Sequence, residues 1–287
     1  MRFENLHNLL AQLESDESLL APEQLRQRIE ALDELDSHIE IDADAVFTPI
    51  SADAAIIDHA VTLRRNLESA NAAIYSDIRK DIQQGNAEGL RSWIDHCRDG
   101  DDPQPGLGYD HLDDLIAGVL QIPDPVEVIR PRHEQVFYQP TPVRHALAMI
   151  EQSGLTENDL LVDVGSGLGQ LCIVASILTG AQAIGIEIER AYIECARECV
   201  RNLQMSRIEF LHAYAREADL SVGTVFHLYT PFNGSILRTV LNRLQHESTN
   251  RSIKVCTLGP CTDTVAQEPW LRTAMQPDAE RVTVFCS

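Results

Sequence analysis

The chain has 287 residues, 44% of them hydrophobic, with 23 Lys+Arg against 44 Asp+Glu and a formal net charge of −21. That length allows one large domain or two modest ones, and no apolar run approaches the ~18 residues that cross a bilayer. Lys80 and Lys254 are the only lysines, which makes the chain a poor binder of bare DNA or RNA, a task that draws on clustered Lys and Arg.

The opening residues, MRFENLHNLLAQLESDE, carry early acids and no continuous apolar core, unlike a secretory signal; this predicts a cytoplasmic protein. Leu6, Leu9, Leu10 and Leu13 predict a short amphipathic helix. Pro22 suits a first helical position, and Leu25, Ile29, Leu32, Leu35 and Ile39 follow it at helical spacing. Ser51 is a candidate N-cap for a long helix striped by Ile56, Ala60, Leu63, Leu67, Ala70, Ile74, Ile78 and Ile82 and stopped at Gly85. A shorter helix is predicted over 87–97. Residues 99–108, DGDDPQPGLG, read as a linker or loop. A helix follows in YDHLDDLIAGVLQI, and Pro123, Pro125 and Pro131 then force extended or turning chain. The first 140 residues carry 11 Lys+Arg against 28 Asp+Glu, so this region presents an acidic, solvated face.

From about 138 the pattern changes. Thr141 is a candidate N-cap with Pro142 at the first helical position and Gly154 as the stop. Beyond it, predicted strands at 160–165, 183–189, 207–212, 224–230, 252–259 and 281–287 alternate with predicted helices at 171–180, 191–204, 235–247 and 265–276. Such alternation predicts an α/β fold, a mostly parallel sheet with helices on both faces, preceded by an all-helical N-terminal region. The division expected is 1–107 for the helical region and 108–287 for the sheet domain, with any ligand at the C-terminal edge of the strands. The seven cysteines are odd in number and form no C-x-x-C pair, so they read as buried free thiols; no metal is expected.

The segment LVDVGSGLGQ sets Gly165, Gly167 and Gly169 between a strand and a helix. A dinucleotide fingerprint, G-x-G-x-x-G, needs its last glycine where Gln170 stands. The pattern here is D-x-G-x-G-x-G, with Asp163 at the strand end. It resembles motif I of the class I S-adenosylmethionine-dependent methyltransferases. The resemblance covers roughly residues 138–287 and implies a Rossmann-like catalytic domain with S-adenosyl-L-methionine as cofactor. It implies cofactor contacts at Gly165, Ser166, Gly167, Gly169 and Gln170, with Asp163 orienting the cationic amine. Glu187, ending the second strand, is implied to accept from the ribose hydroxyls, while Glu189 is expected on the surface. Where the family commonly has Gly-Asp-Ala after the third strand, this chain has Ala213, Tyr214 and Ala215, and Tyr214 is the candidate to pack on the adenine. Upstream, FYQPTP resembles the segment that packs over the methionine part of the cofactor in some members, with Tyr138 and Thr141 as candidates. DVGSGLGQ together with GIE also looks like the histone-lysine methyltransferases that lack a SET domain. Their Asn-rich catalytic segment and strongly basic flank are not reproduced.

The fourth strand ends in Tyr229-Thr230-Pro231-Phe232, where several bacterial methyltransferases carry Asn-Pro-Phe. Tyr229 and Thr230 are the catalytic candidates, and Tyr229, His212 or His227 is a candidate general base. The methyl acceptor, a protein or a small molecule, is expected near Tyr138, Tyr229, Thr230 and Phe232, with the N-terminal helices covering that edge. Two other readings stay open: an NAD-type oxidoreductase, and a non-catalytic S-adenosylmethionine-binding module whose acidic helices bind a partner. The family usually ends in a two-strand hairpin, so the single strand after 252–259 predicts a trimmed sheet edge.

Overall fold

The computed structural model describes residues 2–43, 51–98, 108–126 and 138–287. Residues 99–107 of the predicted linker over 99–108 and the turn at Pro131 lie outside the described residues, as does the capping side chain of Ser51. Helices α1 (Arg2–Ser15), α2 (Leu25–Ala43) and α3 (Ser51–Gln83) come first. Leu6, Leu9, Leu10, Leu35, Ala60 and Leu67 bury against one another, as their spacing on the three helices requires. Pro22 opens a short 3-10 turn, Pro22–Gln24, and α2 starts only at Leu25. The buried Arg28 holds this entry by donating to the carbonyls of Leu19, Ala21 and Pro22 and to Asn71 Oδ1.

The far end of α3 serves a different core. Ile78 and Ile82 join residues of α4 (Glu88–Arg98), α5 (His111–Leu120) and α6 (Val143–Ser153) against one face of the sheet. Thr141 does not cap α6. Pro142 occupies the cap and offers no side-chain bond. Asp113 of α5 supplies the acceptor: Oδ1 takes the Val143 N–H at 2.9 Å, and Oδ2 takes the Asp110 N–H at 2.8 Å. One carboxylate therefore closes the capping box of α5 and the open end of α6.

The remaining elements are β1 (Leu160–Val164), α7 (Gln170–Thr179), β2 (Gln182–Glu187), α8 (Arg190–Asn202), β3 (Ile208–His212), β4 (Val225–Tyr229), α9 (Gly234–Ser248), β5 (Lys254–Leu258), α10 (Cys261–Val265) and β6 (Thr283–Cys286). The sheet order is β3-β2-β1-β4-β5-β6. The first five strands pair in parallel, and β6 closes the edge antiparallel to β5. The edge is trimmed as expected. The helix predicted over 265–276 does not form: α10 stops at Val265 and Arg272 bridges to Cys286. Pro269 explains the break, since it cannot donate a helical hydrogen bond and its ring clashes with the preceding turn.

Alternation along each strand divides the core. Leu161, Ala183, Val225 and Cys256 face α6, α7 and α8, while Val162, Phe226, Val255 and Phe285 face α9 and α10. The sheet grows outward from β1 in one direction through β2 and β3 and in the other through β4 and β5. A crevice opens at the C-terminal ends of β1 and β4, where that direction reverses. Replacing Asp113 by Ala should cost about 1–2 kcal/mol of stability in urea unfolding, because two helix starts lose one acceptor. An unchanged midpoint would show that neither cap matters.

Candidate active site

The crevice holds a cavity of about 530 Å³, within the usual range for a cofactor-sized ligand. Tyr138, Thr141, Asp163, Gly165, Ser166, Gln170, Glu187, Tyr214, Tyr229 and Thr230 all line it. Gly167 and Gly169 shape the turn itself. Gly165 and Gly167 have φ of +87° and +52°, a region that costs a side-chain-bearing residue dearly. A Cβ on Gly165 would overlap Pro231, and one on Gly167 would overlap the Tyr138 ring. The turn is thus roofed from both sides at contact distance.

Glu187 fastens the turn to β2. Its Oε2 accepts the Gly167 N–H at 2.9 Å, and its Oε1 accepts the N–H groups of Ile188 and Glu189 at 2.7 and 2.8 Å. Burial pushes the carboxyl above its ordinary value, and these backbone donors oppose the shift. A carboxylate has about four acceptor positions, so Glu187 keeps capacity for a ribose hydroxyl. The roof segment is pinned as well. Gln170 donates to the Thr141 carbonyl at 3.1 Å, and Tyr109 donates to the Pro140 carbonyl at 3.0 Å. Burial raises the Tyr138 phenol, with a hydrogen bond from the Leu168 backbone opposing it.

Of the buried side-chain polar atoms without a hydrogen-bond partner among the described residues, three are Ser166 Oγ, His227 Nε2 and Tyr229 Oη. All three residues line this cavity. Leaving such an atom unpaired costs about 1–3 kcal/mol, and a polar ligand between β1 and β4 removes that penalty. His212 is no candidate base here: it is exposed, and its Nε2 is bound to the Ile188 carbonyl at 2.8 Å. Thr230 lies at φ +38°, unusual for a β-branched residue. Its hydroxyl donates to the Leu258 carbonyl and accepts the Cys261 N–H, each at 3.1 Å.

Sequence reasoning missed several lining residues. Tyr192, at the start of α8, stands with its ring centroid 5.0 Å from that of Tyr138. Arg216 stacks over the half-exposed Tyr214 at 5.2 Å. Glu189, expected on the surface, also lines the cavity. The placement of Tyr192 one turn into the helix after Glu187 was a usable signal; Arg216 had none. Among the described residues none before Tyr138 lines the cavity, so the expected cover by the N-terminal helices is not found among them. The cysteines are free, and all but Cys286 are buried.

Residues 134–221 match the family described as Histone methylation protein DOT1. An uncharacterized protein of Methanocaldococcus jannaschii is 37% identical over 62 residues, which span 22% of this chain and only 28% of that relative. Among solved structures, an RNA methyltransferase from Salinibacter ruber in complex with S-adenosyl-L-homocysteine is similar at a TM-score of 0.43 and 27% identity, covering 52% of this chain and 92% of that one. A precorrin-6y C5,15-methyltransferase from Geobacter metallireducens is similar at a TM-score of 0.42 and 15% identity, covering 53% and 91%.

The family match falls on the glycine turn, Glu187 and the third strand. The sheet order β3-β2-β1-β4-β5-β6, with its reversal at β1, is that of a Rossmann-like domain. No helix of the described residues is long and apolar enough to cross a membrane.

The contact between turn and roof is directly testable. Gly167→Ala should destabilise the protein by about 1–3 kcal/mol through its left-handed backbone and the overlap with Tyr138. In a double-mutant cycle with Tyr138→Ala, the two losses should sum to more than the double variant shows. Strict additivity would contradict the packing.

Proposed function

We propose that this protein transfers a methyl group from S-adenosyl-L-methionine to a protein side chain or small molecule entering between Tyr138, Tyr229, Thr230 and Phe232. The observation that carries the reading is the convergence of Ser166 Oγ, His227 Nε2 and Tyr229 Oη, buried and unpaired, on the cavity beside the glycine turn. Arg216 is the only Lys or Arg among the described lining residues. With a net charge of −21, that favours a protein or small-molecule acceptor over bare nucleic acid.

When bound, the cofactor supplies a methyl group activated on a sulfonium and a neutral thioether leaving group. The chain supplies position and electrostatics. Asp163 and Glu187 present carboxylates to the two polar ends of the ligand, and Tyr138 closes the roof against water. Tyr229 takes part as a neutral phenol: burial raises it above the ordinary tyrosine value, with Tyr109 adding to the rise. At neutral pH it therefore keeps its proton and holds an acceptor by hydrogen bonding. Thr230 is a positioning residue. Its hydroxyl ties the end of β4 to Leu258 and Cys261, which sets Pro231 against Gly165.

Thermal unfolding with S-adenosyl-L-methionine, S-adenosyl-L-homocysteine and NAD is the first test. The two sulfur nucleosides should raise the midpoint, by about 2.7 kcal/mol of added stability at a hundredfold excess over Kd, and NAD should not. Stabilisation by NAD alone would contradict the proposal. With an acceptor found by radiolabelled methyl transfer, Tyr229→Phe should lower kcat about tenfold and leave S-adenosyl-L-homocysteine affinity unchanged. An equal loss of cofactor affinity would remove Tyr229 from the acceptor side.

A further inference from the structure

His227 was a candidate base by sequence, and its surroundings assign it a different task. β1 and β4 pair in parallel with Asp163 opposite His227. Both side chains project to the sheet face shared with Leu161 and Val225. There His227 Nδ1 lies 2.8 Å from Asp163 Oδ1, with side-chain exposures of 1% and 6%. A carboxylate accepts only, so the proton of this bond sits on Nδ1. In the neutral ring, Nε2 is then an acceptor. It is buried, has no protein partner, and belongs to a residue lining the cavity. Among the described residues, the other carboxylate oxygen, Asp163 Oδ2, has a weak thiol contact, from Cys172 Sγ at 4.0 Å. Burial and the adjacent Asp163 carboxylate push that thiol well above its usual range, so it stays neutral.

Asp163 and His227 both line the cavity, so this hydrogen-bonded pair brings two further acceptors, Asp163 Oδ2 and His227 Nε2, to its wall, with no Lys or Arg among the described lining residues but Arg216. Such a pair fits a group with several N–H donors and a positive charge. We propose that His227, locked in one tautomer by Asp163, binds the ammonium group at the amino-acid end of S-adenosyl-L-methionine through Nε2. This rests on the cofactor reading above and adds a residue to it. His227 then serves as a cofactor-binding residue, and the base for the acceptor is to be sought elsewhere.

The experiment compares two ligands by calorimetry. S-adenosyl-L-homocysteine carries the amino-acid end; 5′-methylthioadenosine has the same nucleoside and thioether without it. His227→Phe should weaken S-adenosyl-L-homocysteine about tenfold or more and change 5′-methylthioadenosine by less than about twofold. His227→Gln, which keeps an acceptor at the end of a side chain of similar reach, should recover part of the loss. A loss shared equally by both ligands, or no loss on S-adenosyl-L-homocysteine, overturns the proposal. Because the site is buried, ¹⁵N spectra of the histidine-labelled wild-type protein provide a second reading. Its Nε2 resonance should move on adding S-adenosyl-L-homocysteine and stay in place with 5′-methylthioadenosine; a resonance indifferent to both, or moved equally by both, sinks the assignment. If the wild-type protein binds neither S-adenosyl-L-homocysteine nor 5′-methylthioadenosine, the cofactor reading itself has failed.

Discussion

One carboxylate organises this molecule's crevice. Glu187 gathers the N–H groups of Gly167, Ile188 and Glu189, while the Ile186 carbonyl takes those of Gly165 and Ser166. The end of β2 and the bend after β1 are therefore one hydrogen-bonded unit. Burying an acid is unfavourable, and three donors in place of water make it tolerable. The bend carries no Cβ at 165 and 167, which leaves its two outer faces open to close packing. Tyr138 and Pro231 then pack directly on its backbone, and the space left between the strand ends is the cavity.

Much of this was legible in the sequence because it is local. The spacing D-x-G-x-G-x-G and the strand ending at Glu187 lie within 25 residues of chain, and each follows from the geometry of a strand-turn-helix unit. The stripes of α1, α2 and α3 were legible for the same reason, since burial follows the helical period. What failed was decided by distant partners. Thr141 looked like a cap, yet the acceptor for α6 came from Asp113 on another helix. Apolar residues at 265, 266, 270, 271 and 274 suggested a helix; Pro269 and the bridge from Arg272 to Cys286 prevailed. Thr230 was a catalytic candidate, and only the fold could reveal that its hydroxyl is committed to Leu258 and Cys261. His227 looked like one more strand histidine until its neighbour across the sheet was known.

The helices before the sheet reach the site indirectly. Among the described residues they do not line the cavity. They bury one face of α5, and the region of α5 anchors the roof: Asp113 holds the start of α6, and Tyr109 holds the Pro140 carbonyl. The roof strip 138–142 is thus clamped between α5 on one side and Gln170 and Gly167 on the other. A change in the helical region that shifted α5 would move Tyr138 over the bend without touching any lining residue. Coupling of this kind needs no acidic surface, so the large negative charge of the first 140 residues remains free for solvation or for a partner.

In the proposed function, the bend at 165–169, held by Glu187, seats the methyl donor. A crystal structure with S-adenosyl-L-homocysteine tests it most directly. The amino-acid end is expected between the ends of β1 and β4, with Ser166 Oγ and His227 Nε2 both gaining ligand partners, and the nucleoside on the β2 side, with Glu187 reaching the ribose. A ligand bound elsewhere, or a crevice that side chains close in its presence, would contradict it.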